Sequence, residues 1–262
     1  MPLFGTKLSD IESRLFENAK KNRAVFPEEI KQIETGLRLL RGLTKITKEA
    51  SKDYPNKPNY SANHELFARN RELLLNAYVS LLFSSYGTHF VILRTVLENN
   101  NLMRLFNKNP QFAFWWFPRR MQKRFTKEVQ IKFCKQGKEK QTYGAGFVRK
   151  QIFDTIEKET IRDEIKEFYS QLCDYTHPNY AGWKELVVQK EGVEMILNVP
   201  NFSLKESENA TGIYLFLMQG TLKGFVETFR DYLQEFASQL NTWQEKNKPL
   251  LQRHRETDKS KV

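Results

Sequence analysis

Two stretches of this 262-residue chain hold side chains whose types and spacing suit acid–base or phosphate chemistry. The first is Arg94-Thr95-Val96-Leu97-Glu98, set in the apolar run that begins Val91-Ile92-Leu93. A step of four places Arg94 and Glu98 on one face of a helix. Charges among apolar neighbours need partners. The pair is therefore either an intrahelical ion pair at the edge of a bundle, or a guanidinium oriented by its carboxylate to grip a phosphate bidentately. The second stretch is Tyr169-Ser170-Gln171-Leu172-Cys173-Asp174-Tyr175-Thr176-His177-Pro178. His177 stands just past a helix that Pro178 cannot continue. Backbone carbonyls at a helix C-terminus favour the imidazolium, which suits general acid–base work. Asp174 lies three residues before it and Tyr169 eight. The plainer reading of His177 is a helix stop with a satisfied ring.

Other chemistries find no support. The remaining histidines, His64, His89 and His254, sit at no metal-ligand spacing with each other or with His177. HExxH, P-loop, GxGxxG and GxSxG patterns are missing from the sequence. Cys134 and Cys173 make neither a disulfide framework nor a CxxC pair. We expect no metal and no cofactor.

A third feature is charge. The formal net charge is +11 and the isoelectric point about 9.5. Pro118–Gln141 concentrates Arg119, Arg120, Lys123, Arg124, Lys127, Lys132, Lys135, Lys138 and Lys140 against only Glu128 and Glu139. As a helix it would carry Arg120, Lys123, Arg124 and Lys127 on one face and Met121, Phe125 and Val129 on another. Such a face can follow a phosphate backbone and release its counterions. Arg119, Arg120, Lys123, Arg124, Lys127, Lys132 and Lys135 are the candidate nucleic-acid contacts, and an anionic membrane surface ranks behind nucleic acid. The preceding Phe112, Phe114, Trp115, Trp116 and Phe117 are either core or a platform for unpaired bases.

The elements that would position these residues are almost all helical. Ser9–Glu12 reads as a capping box opening a first helix. Pro27-Glu28-Glu29 opens a second, with Ile30, Ile33, Leu37, Leu40 and Leu43 on one stripe. Residues 61–84 and 87–108 form the two most apolar helices. Leu73–Leu93 has no charged residue, yet Asn76, Ser80, Ser84, Ser85, Gly87, Thr88 and His89 favour a buried hairpin over a membrane span. Helices over about 147–157 and 159–175 follow a loop at 136–146. Residues 185–198 read as a β-hairpin through Lys190-Glu191-Gly192. The last helix would run from about 207 to Lys246, with Leu222, Phe225, Phe229, Leu233, Phe236, Leu240 and Trp243 as a bundle seam or a partner face. Pro249 would end it. The fold class is thus all-α, an up-and-down helical bundle with one small β-hairpin insertion. Residues 1–58 are an N-terminal helical pair, 59–246 the bundle with a basic insertion at 112–141, and 247–262 a mobile charged tail. The N-terminus lacks the apolar core of a secretory signal, and the cytoplasm is the expected compartment.

The Arg94–Glu98 helix together with Tyr169–His177 resembles HEPN-like proteins, whose pattern is similar to R-x-x-x-E on one bundle helix and Y-x-x-L-S/C-x-x-x-H at the end of a later one. The resemblance spans roughly residues 60–245. It implies an α-helical bundle, often a homodimer, in a superfamily rich in metal-independent ribonucleases of defence and toxin systems. In catalytic members an Arg separated by four to six residues from a His binds the scissile phosphate, and the His assists 2′-hydroxyl attack. Here Ser170, Gln171 and Leu172 occupy the positions of that Arg, so Arg94 would have to substitute from another helix. The resemblance implies an RNA partner, with Arg94 as phosphate ligand, Glu98 as its orienter and His177 as general acid–base. The competing expectation is a non-enzymatic interaction protein in which Arg94, Glu98 and His177 form a structural polar cluster.

Overall fold

The computed structural model describes residues 8–50, 55–134, 159–176, 187–189, 195–197, 200–233 and 237–259. The predicted helix at 147–157, the loop before it, Lys135, Phe236 and His177 lie outside the described residues. Within them the chain is all-helical in its body: α1 (Leu8–Val25), α2 (Pro27–Glu49), α3 (Pro58–Leu82), α4 (Tyr86–Lys108), α5 (Pro110–Trp116), α6 (Arg119–Gln122), α7 (Lys127–Cys134), α8 (Glu159–Thr176), α9 (Leu204–Phe229) and α10 (Ala237–Lys259). Val187–Gln189 and Met195–Leu197, inside the stretch expected to be a hairpin, pair antiparallel with Val188 opposite Ile196.

Helices α3, α4 and α9 form the centre, and their shared interior is polar at regular intervals. Asn63 and Asn70 on α3, Asn100 and Asn107 on α4, and Thr221 and Thr228 on α9 each recur after seven residues. Seven residues are about two helical turns, so each pair stacks on one face. In one layer Asn70 Nδ2 donates to Asn100 Oδ1 at 2.9 Å, and the Thr221 hydroxyl lies 2.8 Å from the same oxygen. In the next, Asn63 Nδ2 donates to Asn107 Oδ1 at 2.7 Å and to Thr228 at 2.8 Å. Asn100 also donates to the Leu217 carbonyl at 2.9 Å. Gly220 makes that closeness possible, since a Cβ there would sit 2.9 Å from Asn100 Nδ2. Buried amides left unpaired are costly, so the two layers fix the register of three helices that apolar packing alone would allow to slide.

The expected break near Ser84 is real. Helix α3 stops at Leu82, Ser84 adopts a left-handed φ of 59°, and α4 restarts at Tyr86. The carbonyls freed at the end of α3 are covered by α1. Asn22 Nδ2 lies 3.2 and 3.1 Å from the Leu81 and Leu82 oxygens, and Asn18 Nδ2 lies 3.3 Å from that of Phe83. Asn22 Oδ1 in turn accepts from Ser207 on α9. Helices α1 and α2, within the expected N-terminal pair, thus pack on the bundle. Ser9 lies inside α1, so it does not act as the expected cap.

The last helix departs most from expectation. It begins at Leu204, capped by Ser203 Oγ accepting from the Glu206 amide at 3.3 Å. It ends at Phe229, and a single 3-10 turn over Arg230–Tyr232 follows before α10 starts at Ala237. The stripe Leu222, Phe225, Phe229, Leu233, Leu240 and Trp243 is buried throughout. The chain bends and packs these residues on its own core, so among the described residues the stripe serves as a bundle seam. Pro249 lies within α10 instead of ending it, and residues 247–259 are helical rather than a tail. Arg253 ties this end to α2, reaching Glu29 at 3.0 Å and Glu28 at 3.1 Å. Trp243 Nε1 donates to the Gln32 carbonyl at 2.9 Å, and Gln32 Nε2 donates back to the Trp243 carbonyl at 2.6 Å.

Candidate functional site

Helix α8 lies against α4, and its buried residues Ile165 and Leu172 are seven apart on the contact face. Tyr169 stands between them in sequence, four after Ile165 and three before Leu172, so it leans along the same side of the helix. It meets Arg94 and Glu98. Arg94 Nε donates to Glu98 Oε1 at 3.2 Å, and a terminal nitrogen of Arg94 donates to the Tyr169 hydroxyl at 3.1 Å. The same hydroxyl donates to Glu98 Oε1 at 3.3 Å. The guanidinium carbon is 5.2 Å from the Tyr169 ring centroid, within range of a cation–π contact. The two stretches singled out by spacing are therefore joined in space by three side chains.

The electrostatics hold Arg94 charged. Partial burial works against its charge, but the hydrogen bond to Tyr169 and the electrostatic influence of Tyr169, Cys173 and Glu98 outweigh it, raising the pKa above its ordinary value. The Arg94 side chain is 21% exposed and Glu98 44%, so the cluster is open to solvent on the Glu98 side. A fixed, charged, partly open guanidinium can bind a phosphate oxyanion. Asp174 belongs to α8, and His177 follows Thr176, the last residue of that helix, in the chain. Cys173 was passed over as a site residue, although its four-residue step from Tyr169 placed it on the same face.

The basic segment is split. Rather than one amphipathic helix, it forms α6, a turn over residues 123–126, and α7. Thr126 starts α7 afresh, its hydroxyl 3.4 Å from the Val129 amide, and its own amide donates to the Pro55 carbonyl at 3.1 Å. Gln122 folds back to donate to the Phe114 and Phe117 carbonyls at 3.2 and 3.0 Å, which closes α6 onto the end of α5. Arg120 and Lys127 thus lie on different helices and do not share one face. Arg119, Arg120, Lys123, Arg124, Lys127 and Lys132 are all exposed. Phe125, Val129 and Phe133 turn inward onto Phe114 and Phe117.

Among the described residues no helix is long and apolar enough to cross a membrane, and no group of three or more His, Cys, Asp or Glu could hold a metal ion. Comparisons with protein-family models, with curated proteins and with solved structures find no match.

Proposed function

We propose that this is a HEPN-like RNA-binding protein and a metal-independent endoribonuclease, with Arg94 as the phosphate ligand. The observation that carries this reading is the Tyr169 hydroxyl, hydrogen-bonded to both Arg94 and Glu98. It joins the R-x-x-x-E helix to the helix whose last residue, Thr176, precedes His177 in the chain. In this scheme Glu98 and Tyr169 orient the guanidinium. His177 takes the proton of the 2′-hydroxyl, whose oxygen attacks phosphorus. The bond to the 5′-oxygen breaks, that oxygen leaves with the proton His177 returns to it, and a 2′,3′-cyclic phosphate remains. The exposed cations of α6 and α7 supply sequence-independent affinity for the backbone.

Cleavage of a fluorescently end-labelled RNA in the presence of a chelator tests this. His177→Ala should abolish cleavage with the fold intact by circular dichroism. Arg94→Lys keeps the charge but loses the planar fork, so it should lower activity strongly as well. Nuclease activity in His177→Ala equal to that of the unaltered protein sinks the mechanism. Absence of cleavage alongside salt-sensitive RNA binding would leave an RNA-binding protein without catalysis. Absence of both would favour a structural role for the Arg94–Glu98–Tyr169 cluster.

A further inference from the structure

The aromatic run before the basic segment divides once it is folded. Phe112, Phe114 and Phe117 are core residues, exposed by 8, 1 and 6%, whereas Trp116 is 39% exposed. Its indole is not loose. It packs at 5.8 Å on the Phe106 ring and at 5.1 Å, edge to face, on Phe117. A large aromatic surface held still while open to solvent is preorganised for stacking, because little side-chain freedom is lost when a second ring settles on it.

The charges beside it are equally distinctive. Arg119 and Arg120 follow Trp116 after the Phe117-Pro118 step, and Gln122 ties that step back to α5 by donating to the Phe114 and Phe117 carbonyls. Between Arg119 and Lys132 six cations face solvent, with Glu128 as the lone acid. None of the six forms an ion pair within 4 Å among the described residues, although Arg23, Arg71, Arg94 and Arg253 elsewhere all do. A run of uncompensated cations calls for a polyanion. An open indole at its start calls for one with accessible π faces. A duplex hides its base faces in the stack, and a single strand offers them.

We infer that Trp116, Arg119 and Arg120 form a binding site for single-stranded RNA, with a base stacked on the indole and phosphates against the two guanidinium groups. The inference deepens the RNA reading given above and rests on it. It divides the work between two places: Trp116 and the α6 cations select unpaired RNA, and the Arg94 cluster acts on it.

The test uses the full chain and fluorescence anisotropy with three probes: a labelled oligouridine 12-mer, a labelled 12-base-pair RNA duplex, and vesicles containing phosphatidylserine. The unaltered protein should bind the single strand more tightly than the duplex. Trp116→Ala and Trp116→Leu should each weaken single-strand binding about ten-fold and leave duplex binding unchanged, while Trp116→Phe retains most of it. Arg119→Gln with Arg120→Gln should weaken binding to both and lower the slope of log affinity against log salt by about two. Full single-strand affinity in both Trp116→Ala and Trp116→Leu overturns this inference and leaves the RNA reading standing. Failure to bind either RNA overturns both, and vesicle binding in that case would reassign the surface to an anionic membrane.

Discussion

Lowering the pH from 7 to 5 should strip the fold of about 2 kcal/mol through a single side chain, His89. This imidazole has no exposed surface and sits where α3, α4 and α9 meet. Its Nδ1 is 2.8 Å from the Ala77 carbonyl and its Nε2 is 3.2 Å from the Ala210 carbonyl, and the ring stacks on Tyr214. A neutral ring has one N–H for these two acceptors. A second proton would satisfy the other carbonyl, but it would place a charge in a dry site. Burial wins, and the pKa falls from the ordinary 6.5 to about 4 despite the two carbonyls. The unfolded chain therefore binds more protons than the folded one between these values. Stability is full above pH 6.5, declines as pH falls through the window and levels off below about 4. The gap of about 2.5 pH units corresponds to about 3 kcal/mol in all. Urea unfolding at pH 7 and pH 5 measures it. His64 is depressed by burial in the same direction, so the informative quantity is the difference between the unaltered protein and His89→Gln, which cannot titrate. The glutamine variant should lose about 2 kcal/mol less than the unaltered protein between the two pH values. Equal losses in the two proteins would refute the assignment.

Two further substitutions probe the packing that positions the site. Gly36→Ala should cost about 1–3 kcal/mol, because its new Cβ would fall 2.1 Å from Met218 Sδ and 3.0 Å from the pinned Trp243 Nε1. The same change made in a Met218→Ala background should cost much less, and an equal loss of unfolding midpoint in both backgrounds would disprove the clash. Asn70→Leu should destabilise by about 2–3 kcal/mol, since Asn99 Nδ2 loses its acceptor at 2.7 Å and Asn100 Oδ1 loses a donor. A denaturation midpoint within experimental error of the unaltered protein would show that the polar layers do not set the helix register.

Local pattern and tertiary packing were legible to different degrees. The ends of α3 and α4, the break at Ser84 and the start of α2 at Pro27 follow from proline, polar clusters and a 3–4 apolar period, all of which act over a few residues. The bend after Phe229 could not be read this way. Arg230–Leu233 carries neither glycine nor proline, and the apolar period passes through it unbroken. The helix yields there to the burial available when α10 turns back against α2 and α9. The split at residues 123–126 is similar. Thr126 and Gln122 end one helix and start another by bonding backbone groups, including that of Pro55 far away in sequence. Asn63, Asn70, Asn100 and Asn107 escaped notice for the opposite reason. Each alone reads as a polar interruption, and only the meeting of three helices turns the seven-residue recurrence into a buried network.

The same distinction bears on the choice between an RNA-directed protein and an interaction protein built on its last helix. The interaction reading drew its strength from an apolar stripe long enough to serve as a partner seam. That stripe is consumed internally, with Phe225 and Phe229 wholly buried and Trp243 locked to Gln32. What the described surface retains in concentrated form is charge: six exposed cations over Arg119–Lys132, one acid among them, and a fixed tryptophan at their head. Apolar side chains packed within the chain are not offered to a partner, whereas a concentration of exposed charge bears on which partners can approach. The Arg94–Glu98–Tyr169 cluster adds a second, more enclosed cation, held by side chains from two helices that lie more than seventy residues apart in sequence. Beyond an ion pair at the edge of α4, Tyr169 adds a hydroxyl from a second helix, bonded to both partners. Its hydroxyl makes the guanidinium rigid, and rigidity matters where a phosphate must be held in one geometry.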